Sequence, residues 1–287
     1  MGAADVVPGV SGGTIAFISG IYEELIATIS GVNLSLVKTL KTEGIAAAWK
    51  KLNGNFITAL FLGIGISVFS LAKGISWLLD NQPILLWSFF FGLVVASIYF
   101  VGKSITKWSF KSVILLAIGA LAAYYITTLP PAENINSIPY LFFSGALAIC
   151  AMILPGISGA FILVLLGSYE HILEAVHSRD IKTILIVGFG ALFGLLSFAK
   201  LLKWMFKHFK NETLALLTGF ILGSLNKIWP WKKVLSQKVF GDKVITISEQ
   251  NSSPFSFEGD SQFLFALVLA LFGFSLIFIL ERIAAKK

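Results

Sequence analysis

Six apolar stretches decide most of what this chain can become: residues 56–79, 83–101, 113–129, 183–206, 213–229 and 262–280, each bounded by charged or turn-forming residues. The hydrocarbon core of a bilayer, about 30 Å thick, is crossed by about 20 helical residues. A helix also satisfies its own backbone groups where no water can do so. Each stretch therefore reads as a transmembrane helix. Two further apolar stretches, 6–26 and 140–173, are interrupted by Pro8-Gly9 and Pro155-Gly156. Proline removes a donor and clashes with the preceding turn, so a broken or re-entrant element is expected at each. Composition agrees, since 56% hydrophobic against 13% charged residues and a mean hydropathy of +0.86 leave too little polar surface for a wet globular domain. The expected fold class is all-α integral membrane.

The net charge of +7 would suggest nucleic acid in a soluble protein. Here the lysines fall in short tracts between apolar runs, where they act as orientation signals, and nucleic acid is not an expected partner. Lys38, Lys41, Lys50 and Lys51 precede the first span, Lys103, Lys107 and Lys111 follow the second, and Lys203, Lys207 and Lys210 close the fourth. With Arg282, Lys286 and Lys287 at the end, these tracts read as cytoplasmic. Asp80, the turn holding Glu133 and the polar segment 232–261 then lie outside. Trp77, Trp87, Trp108, Trp204 and Trp229 sit near span ends, as an interfacial belt requires. The single cysteine, Cys150, has no partner for an intramolecular disulfide. The first residues lack the basic and apolar regions of a cleaved leader.

Comparing the chain with itself yields its most specific pattern. Pro8-Gly9-Val10-Ser11-Gly12-Gly13 recurs as Pro155-Gly156-Ile157-Ser158-Gly159-Ala160, and eight of the 19 positions from 8 to 26 are identical at an offset of 147. Gly63, Ser70, Ala72, Lys73, Trp77, Gly92 and Ser97 then match Gly190, Ser197, Ala199, Lys200, Trp204, Gly219 and Ser224 at an offset of 127. Each half is one broken or re-entrant hairpin plus three spans, with boundaries at 1–129 and 130–287. Three crossings are an odd number, so the second half is expected upside down relative to the first, the plan of secondary transporters. The second motif follows an apolar segment that the first lacks, so an upstream segment is expected to be missing.

The motif residues suggest an anion site. A half-helix starting at Gly12 or Gly159 presents unpaired amides and the positive end of its dipole, with Ser11 or Ser158 as an added donor. The phosphate-binding candidates are Ser11, Gly12, Gly13, Thr14, Ser158, Gly159 and Ala160. Lys73 and Lys200 are candidate charge partners, because a cation inside a span is functional by default; snorkelling to headgroups is the plainer alternative. Pro-Gly can equally be a simple kink, and small residues can be simple packing. Glu23 and Glu170 lie 12 residues beyond the motif serines, about 18 Å along a continuous helix, so a membrane-face position is expected. With Tyr22, Tyr169 and Asp5 they are candidates for coupling or gating, or for structural pairing. Asp5 has Met152 as its repeat counterpart. His171, His177 and His208 show no ligand spacing. No metal cluster, nucleophile with a base or nucleotide loop is visible, which argues against an enzyme or an ATP-driven pump and for no metal or cofactor.

At these residues the chain resembles the polyprenyl-phosphate translocase family PopT, formerly a membrane domain family of unknown function. The matching stretches are Gly2 to Thr14 with Gly20-Ile21-Tyr22-Glu23, and Leu154 to Gly159 with Gly167-Ser168-Tyr169-Glu170. The resemblance implies a transporter of the bacterial cytoplasmic (inner) membrane that flips undecaprenyl phosphate, the carrier of cell-wall sugars, from the outer to the cytoplasmic leaflet. The residues by themselves reach only an anion or lipid-phosphate carrier. A carrier of a small water-soluble anion and a membrane enzyme acting on a lipid phosphate stay open as alternatives.

Overall fold

The computed structural model describes residues 1–5, 11–132, 137–240 and 243–284, with only the backbone for 237–240, 243–248 and 280–284. The break at Pro8-Gly9, the acidic Glu133 and the terminal Lys286 and Lys287 lie outside the described residues. Short helices α1 (Gly2–Asp5), α2 (Gly12–Ile18), α3 (Tyr22–Ser30), α4 (Leu34–Glu43) and α5 (Ile45–Lys51) lead into three long ones. These are α6 (Gly54–Asn81), α7 (Pro83–Lys103) and α8 (Phe110–Thr128). The second half runs α9 (Ile138–Ile153), α10 (Gly159–Leu165), α11 (Tyr169–Ser178), α12 (Ile181–His208) and α13 (Lys210–Ser224). A 3-10 turn (Leu225–Ile228), an antiparallel hairpin of β1 (Lys232–Phe240) and β2 (Lys243–Asn251), and α14 (Phe263–Ala284) complete it.

Local chemistry sets these boundaries. Asn33, Ser109 and Asp180 accept backbone N–H groups at the starts of α4, α8 and α12, and a proline opens both α7 and α9 in the first turn, where a missing N–H costs nothing. Among the described residues, α6, α7, α8 and α12 are long and apolar enough to cross a membrane, while α9 and the apolar part of α14, Phe263–Ile279, are shorter. The expected span at 213–229 is also shortened, for α13 ends at Ser224. Trp229 precedes Pro230 and adopts extended backbone with ψ 131°, as the proline ring demands. The polar segment after it, read from sequence as a loop, carries the hairpin. Its signal was the β-branched run Val244-Ile245-Thr246-Ile247.

Small residues bring the helices together. Side chains added at Gly92 or Gly273 would overlap the Ala270 or Phe89 carbonyl, so α7 and α14 touch backbone to backbone. Gly119 and Gly219 make the same reciprocal approach between α8 and α13, at Leu216 and Leu116, and Gly145 and Gly190 do so between α9 and α12. In lipid, where no hydrophobic drive separates helix from tail, such close packing is what holds helices together. Thus α7, from the first half of the chain, pairs with α14 of the second, and α8 pairs with α13. Helices α6 and α12 both run 28 residues, and each end of α12 lies 127 positions after the matching end of α6. Gly63 of α6, the match of Gly190, meets nothing within 4 Å.

Candidate functional site

The break after α9 is where Ser11 and Thr14 of the first motif meet the second motif. Helix α9 stops at Ile153, and Pro155 and Gly156 turn the chain into α10. A broken helix leaves its last carbonyls without partners, and burial makes that expensive. The first motif supplies the donors. The Ser11 hydroxyl lies 3.1 Å from the Met152 carbonyl and 3.3 Å from that of Leu154, and Tyr22 donates its phenol to the Ile153 carbonyl at 3.2 Å. In return the Gly156 N–H donates to Thr14 Oγ1 at 2.9 Å. Ser11, Thr14 and Tyr22 are all buried. Gly13 is needed at this crossing, because an added Cβ would sit 2.5 Å from the Ile153 carbonyl oxygen. Gly156 is fixed twice over, by a φ of +91° that L-residues rarely adopt and by Ser224 Oγ, 2.5 Å from where its Cβ would be.

Although similar in sequence, the motifs differ in what occupies their half-helix starts. At α2 the Gly12 N–H donates to Asp5 Oδ1 at 2.8 Å, and Gly13 N–H donates to Ser11 Oγ at 3.0 Å. The positive end of α2 thus already holds a carboxylate from its own chain. At α10 the matching position to Asp5 is Met152, which has no charge to give. Ser158 is half-buried, its side chain makes no capping bond, and among the described residues no group accepts from Gly159 or Ala160 N–H. The start of α10 is therefore the half-helix terminus whose first amides have no such partner among the described residues.

The other candidates fall elsewhere. Lys73 and Lys200 are exposed on α6 and α12 and have no partner among the described residues, so they are not drawn to the motifs. Glu23 forms an exposed ion pair with Lys210 at 2.7 Å, the pairing alternative. Tyr169 is half-buried, whereas its match Tyr22 is buried against Phe17 and Phe206. The expected 18 Å of continuous helix beyond each serine is not present. Gly20 and Gly167, at φ +74° and +64°, end each half-helix after seven residues, and α10 and α11 meet at 107°. Glu170 therefore lies on a differently directed helix from Ser158. Among the described residues no group of His, Cys, Asp and Glu could hold a metal.

Sequence reading missed the cations nearest the second motif. Lys227, on the 3-10 turn three residues after Ser224, places Nζ 4.9 Å from the ring centroid of Phe161, on the first turn of α10. Lys232, at the foot of β1, lies 4.6 Å over the Trp87 ring, and both lysines contact Glu249 Oε1 at 2.8 Å. Burial pushes Lys232 below the usual lysine range, with Glu249 opposing it. Burial also lifts the Glu249 carboxyl, but the two lysines outweigh it and hold it below the usual range. Nothing in the sequence joins residues 87, 161, 227 and 249; a hairpin folding back onto the helices does.

A family model described as undecaprenyl phosphate translocase-like matches residues 1–243. A Vibrio cholerae protein named polyprenyl-phosphate transporter is 47% identical over all of this chain and 94% of its own length. A Staphylococcus aureus protein of the same name is 32% identical over 80% of this chain and 83% of its own length. No solved structure matches the chain.

Proposed function

The chain belongs to the undecaprenyl phosphate translocase-like family, and from that premise we propose that it flips undecaprenyl phosphate from the outer to the cytoplasmic leaflet of the bacterial inner membrane, returning the lipid carrier of cell-wall polymers. The observation that carries this reading is the open start of α10. An anion there receives the amides of Gly159 and Ala160, the Ser158 hydroxyl and the helix dipole, inside a protein whose surroundings offer few competing donors. The first motif is the platform. Its Ser11, Thr14 and Tyr22 hold the α9 break in place, and its own half-helix start is occupied, Gly12 N–H by Asp5 and Gly13 N–H by the Ser11 hydroxyl oxygen. A lipid phosphate needs such a polar station because its headgroup must cross while its tail stays in the bilayer.

The inverted-repeat plan belongs to the same proposal. Its support is the matched length and spacing of α6 and α12 and the reciprocal pairing of α7 with α14 and α8 with α13. Halves that exchange their third helices can tilt against each other around a shared centre, as alternating access requires. The test is transfer of a fluorescent undecaprenyl phosphate between leaflets of liposomes holding only this protein. The expected result is protein-dependent transfer that Ser158→Ala slows. Transfer of free phosphate ions without transfer of the lipid would establish the small-anion carrier instead.

A further inference from the structure

The two halves of the chain differ by a piece that the transport reading does not use. In the second half α11 ends at Ser178 and α12 begins at Ile181, whereas in the first half α4 and α5 stand between the matching α3 and α6. This inserted pair accounts for the change of repeat offset from 147 to 127. It is an amphipathic helical hairpin. Lys51 of α5 donates to Ser35 Oγ at 2.7 Å and Thr39 Oγ1 at 2.8 Å, so α4 turns that polar side toward α5. Leu34, Val37 and Leu40 recur every three residues along another side of α4 and are all exposed, Leu34 to 87%. Ile45 and Trp49 of α5 are exposed as well. Lys38, Lys41 and Lys50 are exposed without a partner among the described residues, and residues 34–51 set four lysines against the single acidic Glu43. The hairpin is fixed to the foot of α6. Only Leu52 and Asn53 separate α5 from α6, and the Trp49 ring covers Gly54, where an added Cβ would lie 2.3 Å from it. Trp49 Nε1 donates to Asn55 at 2.9 Å, and Asn53 donates to Glu24 at 2.6 Å, tying the junction to α3.

We propose that α4 and α5 form an interfacial hairpin that docks on the anionic lipid surface of the leaflet at the foot of α6, with Leu34, Val37 and Leu40 among the acyl chains and Lys38 and Lys41 on lipid phosphates. Two observations select that partner. The first is continuity with the lipid-facing side of the protein. Helix α6 is long and apolar enough to cross a membrane, and none of its most apolar stretch is buried inside the protein. Its first residues therefore stand at a bilayer surface, and a hairpin tied to them by Trp49 stands there too, with the tryptophan at the level such rings prefer. The second is charge. Lys38 and Lys41 flank the apolar stripe of α4, where their long stems reach headgroups while the leucines sit deeper. Each lysine held near an anionic leaflet favours docking about fivefold. The lysine pattern assigns this end of α6 to the cytoplasm, the side on which such basic segments meet anionic lipid. The second half has no counterpart of the hairpin, so only the first half is moored to the leaflet. The inference does not depend on where the substrate anion binds.

The test uses the full-length protein with Cys150→Ala and Val37→Cys, labelled at position 37 with an environment-sensitive fluorophore. It is reconstituted in nanodiscs of phosphatidylcholine, alone or mixed with phosphatidylglycerol. Lipids brominated high in their acyl chains should quench the label, more strongly in the mixture, and aqueous iodide should not reach it there. Lys38→Gln with Lys41→Gln should lower the ratio of docked to undocked hairpin about fivefold per lysine and remove the difference between the two membranes. Lys38→Arg with Lys41→Arg should keep that difference, which separates charge from side-chain identity. Quenching by iodide and not by brominated lipid in the mixture would overturn the docking, and is the outcome expected of a face kept free for a soluble protein. Equal quenching by brominated lipid in both membranes would overturn the anionic surface as the partner. If Val37→Cys does not fold, Leu40→Cys on the same exposed stripe gives the same reading.

Discussion

Replacing the two motif serines one at a time should separate architecture from recognition. Ser11 is buried, caps α2 by accepting from Gly13 N–H and gives its proton to carbonyls at the α9 break. Ser11→Ala loses an N-cap worth about 1 kcal/mol and leaves buried carbonyls short of a donor at about 1–3 kcal/mol. The expected loss of stability is about 2–4 kcal/mol, summing those terms. Ser158 is half-buried and its hydroxyl bonds to no described group, so Ser158→Ala should change stability by less than about 0.5 kcal/mol. In binding the order reverses. Losing one charge-assisted bond at α10 costs about 1.5–3 kcal/mol, or about ten- to a hundredfold in affinity. Ser11 has no proton left to offer. The assay pairs thermal unfolding in detergent, followed by tryptophan fluorescence, with farnesyl phosphate titration of the same samples. A Ser158→Ala protein that melts as early as Ser11→Ala, or that binds at full affinity, would refute the assignment of the open terminus to α10.

Two further outcomes follow from the lysine pattern and the hairpin. In a Cys150→Ala background, a cysteine at exposed Ser236 should react with an impermeant reagent from outside the cell and one at Lys107 only after permeabilisation, whereas labelling of position 107 from outside would overturn the topology. Glu249 is held below its usual value in the folded protein, so its hold on Lys227 and Lys232 is fully present above about pH 4.3 and is lost as pH falls through the lower folded value. Protection of the β1 and β2 amides, taken relative to the intrinsic exchange rate at each pH, should therefore fall on acidification from about pH 4.3 downward while that of α7 and α14 holds, and constant protection of the hairpin across that range would refute it.

The membrane class, the long helices and the break at Pro155 were legible because each follows from a local rule: length of apolar run, charge at the ends, or the missing N–H of proline. The half-helix starts at Gly12 and Gly159 were legible for the same reason. The inequality of the two motifs was half legible, since Met152 stands where the repeat demands a partner for Asp5, but only distance shows that Asp5 fills the end of α2. The short α10 was not foreseen because Gly167 reads as a tolerable helix residue until its φ of +64° is seen. Lys232 was counted with a polar loop and Lys227 with the end of the expected span 213–229. Their chemistry depends on aromatic rings at 87 and 161, some 66 to 145 positions away in sequence, and no periodicity encodes that.

The two half-helices differ in the carboxylates around them. Asp5 sits on α2 directly, through a backbone amide, so displacing it would leave both the amide and the carboxylate in need of new partners. Glu249 is paired with Lys227 and Lys232, and Lys227 lies over the Phe161 ring of α10. On the proposed reading of α10, an anion reaching α2 meets a filled position, while one reaching α10 meets amides with no partner among the described residues. Two equivalent open sites would bind an anion equally from either half and give it no reason to move on. On that reading, one filled and one open site make the second motif the proposed station for the headgroup, with the first as the fixed surface against which it is released.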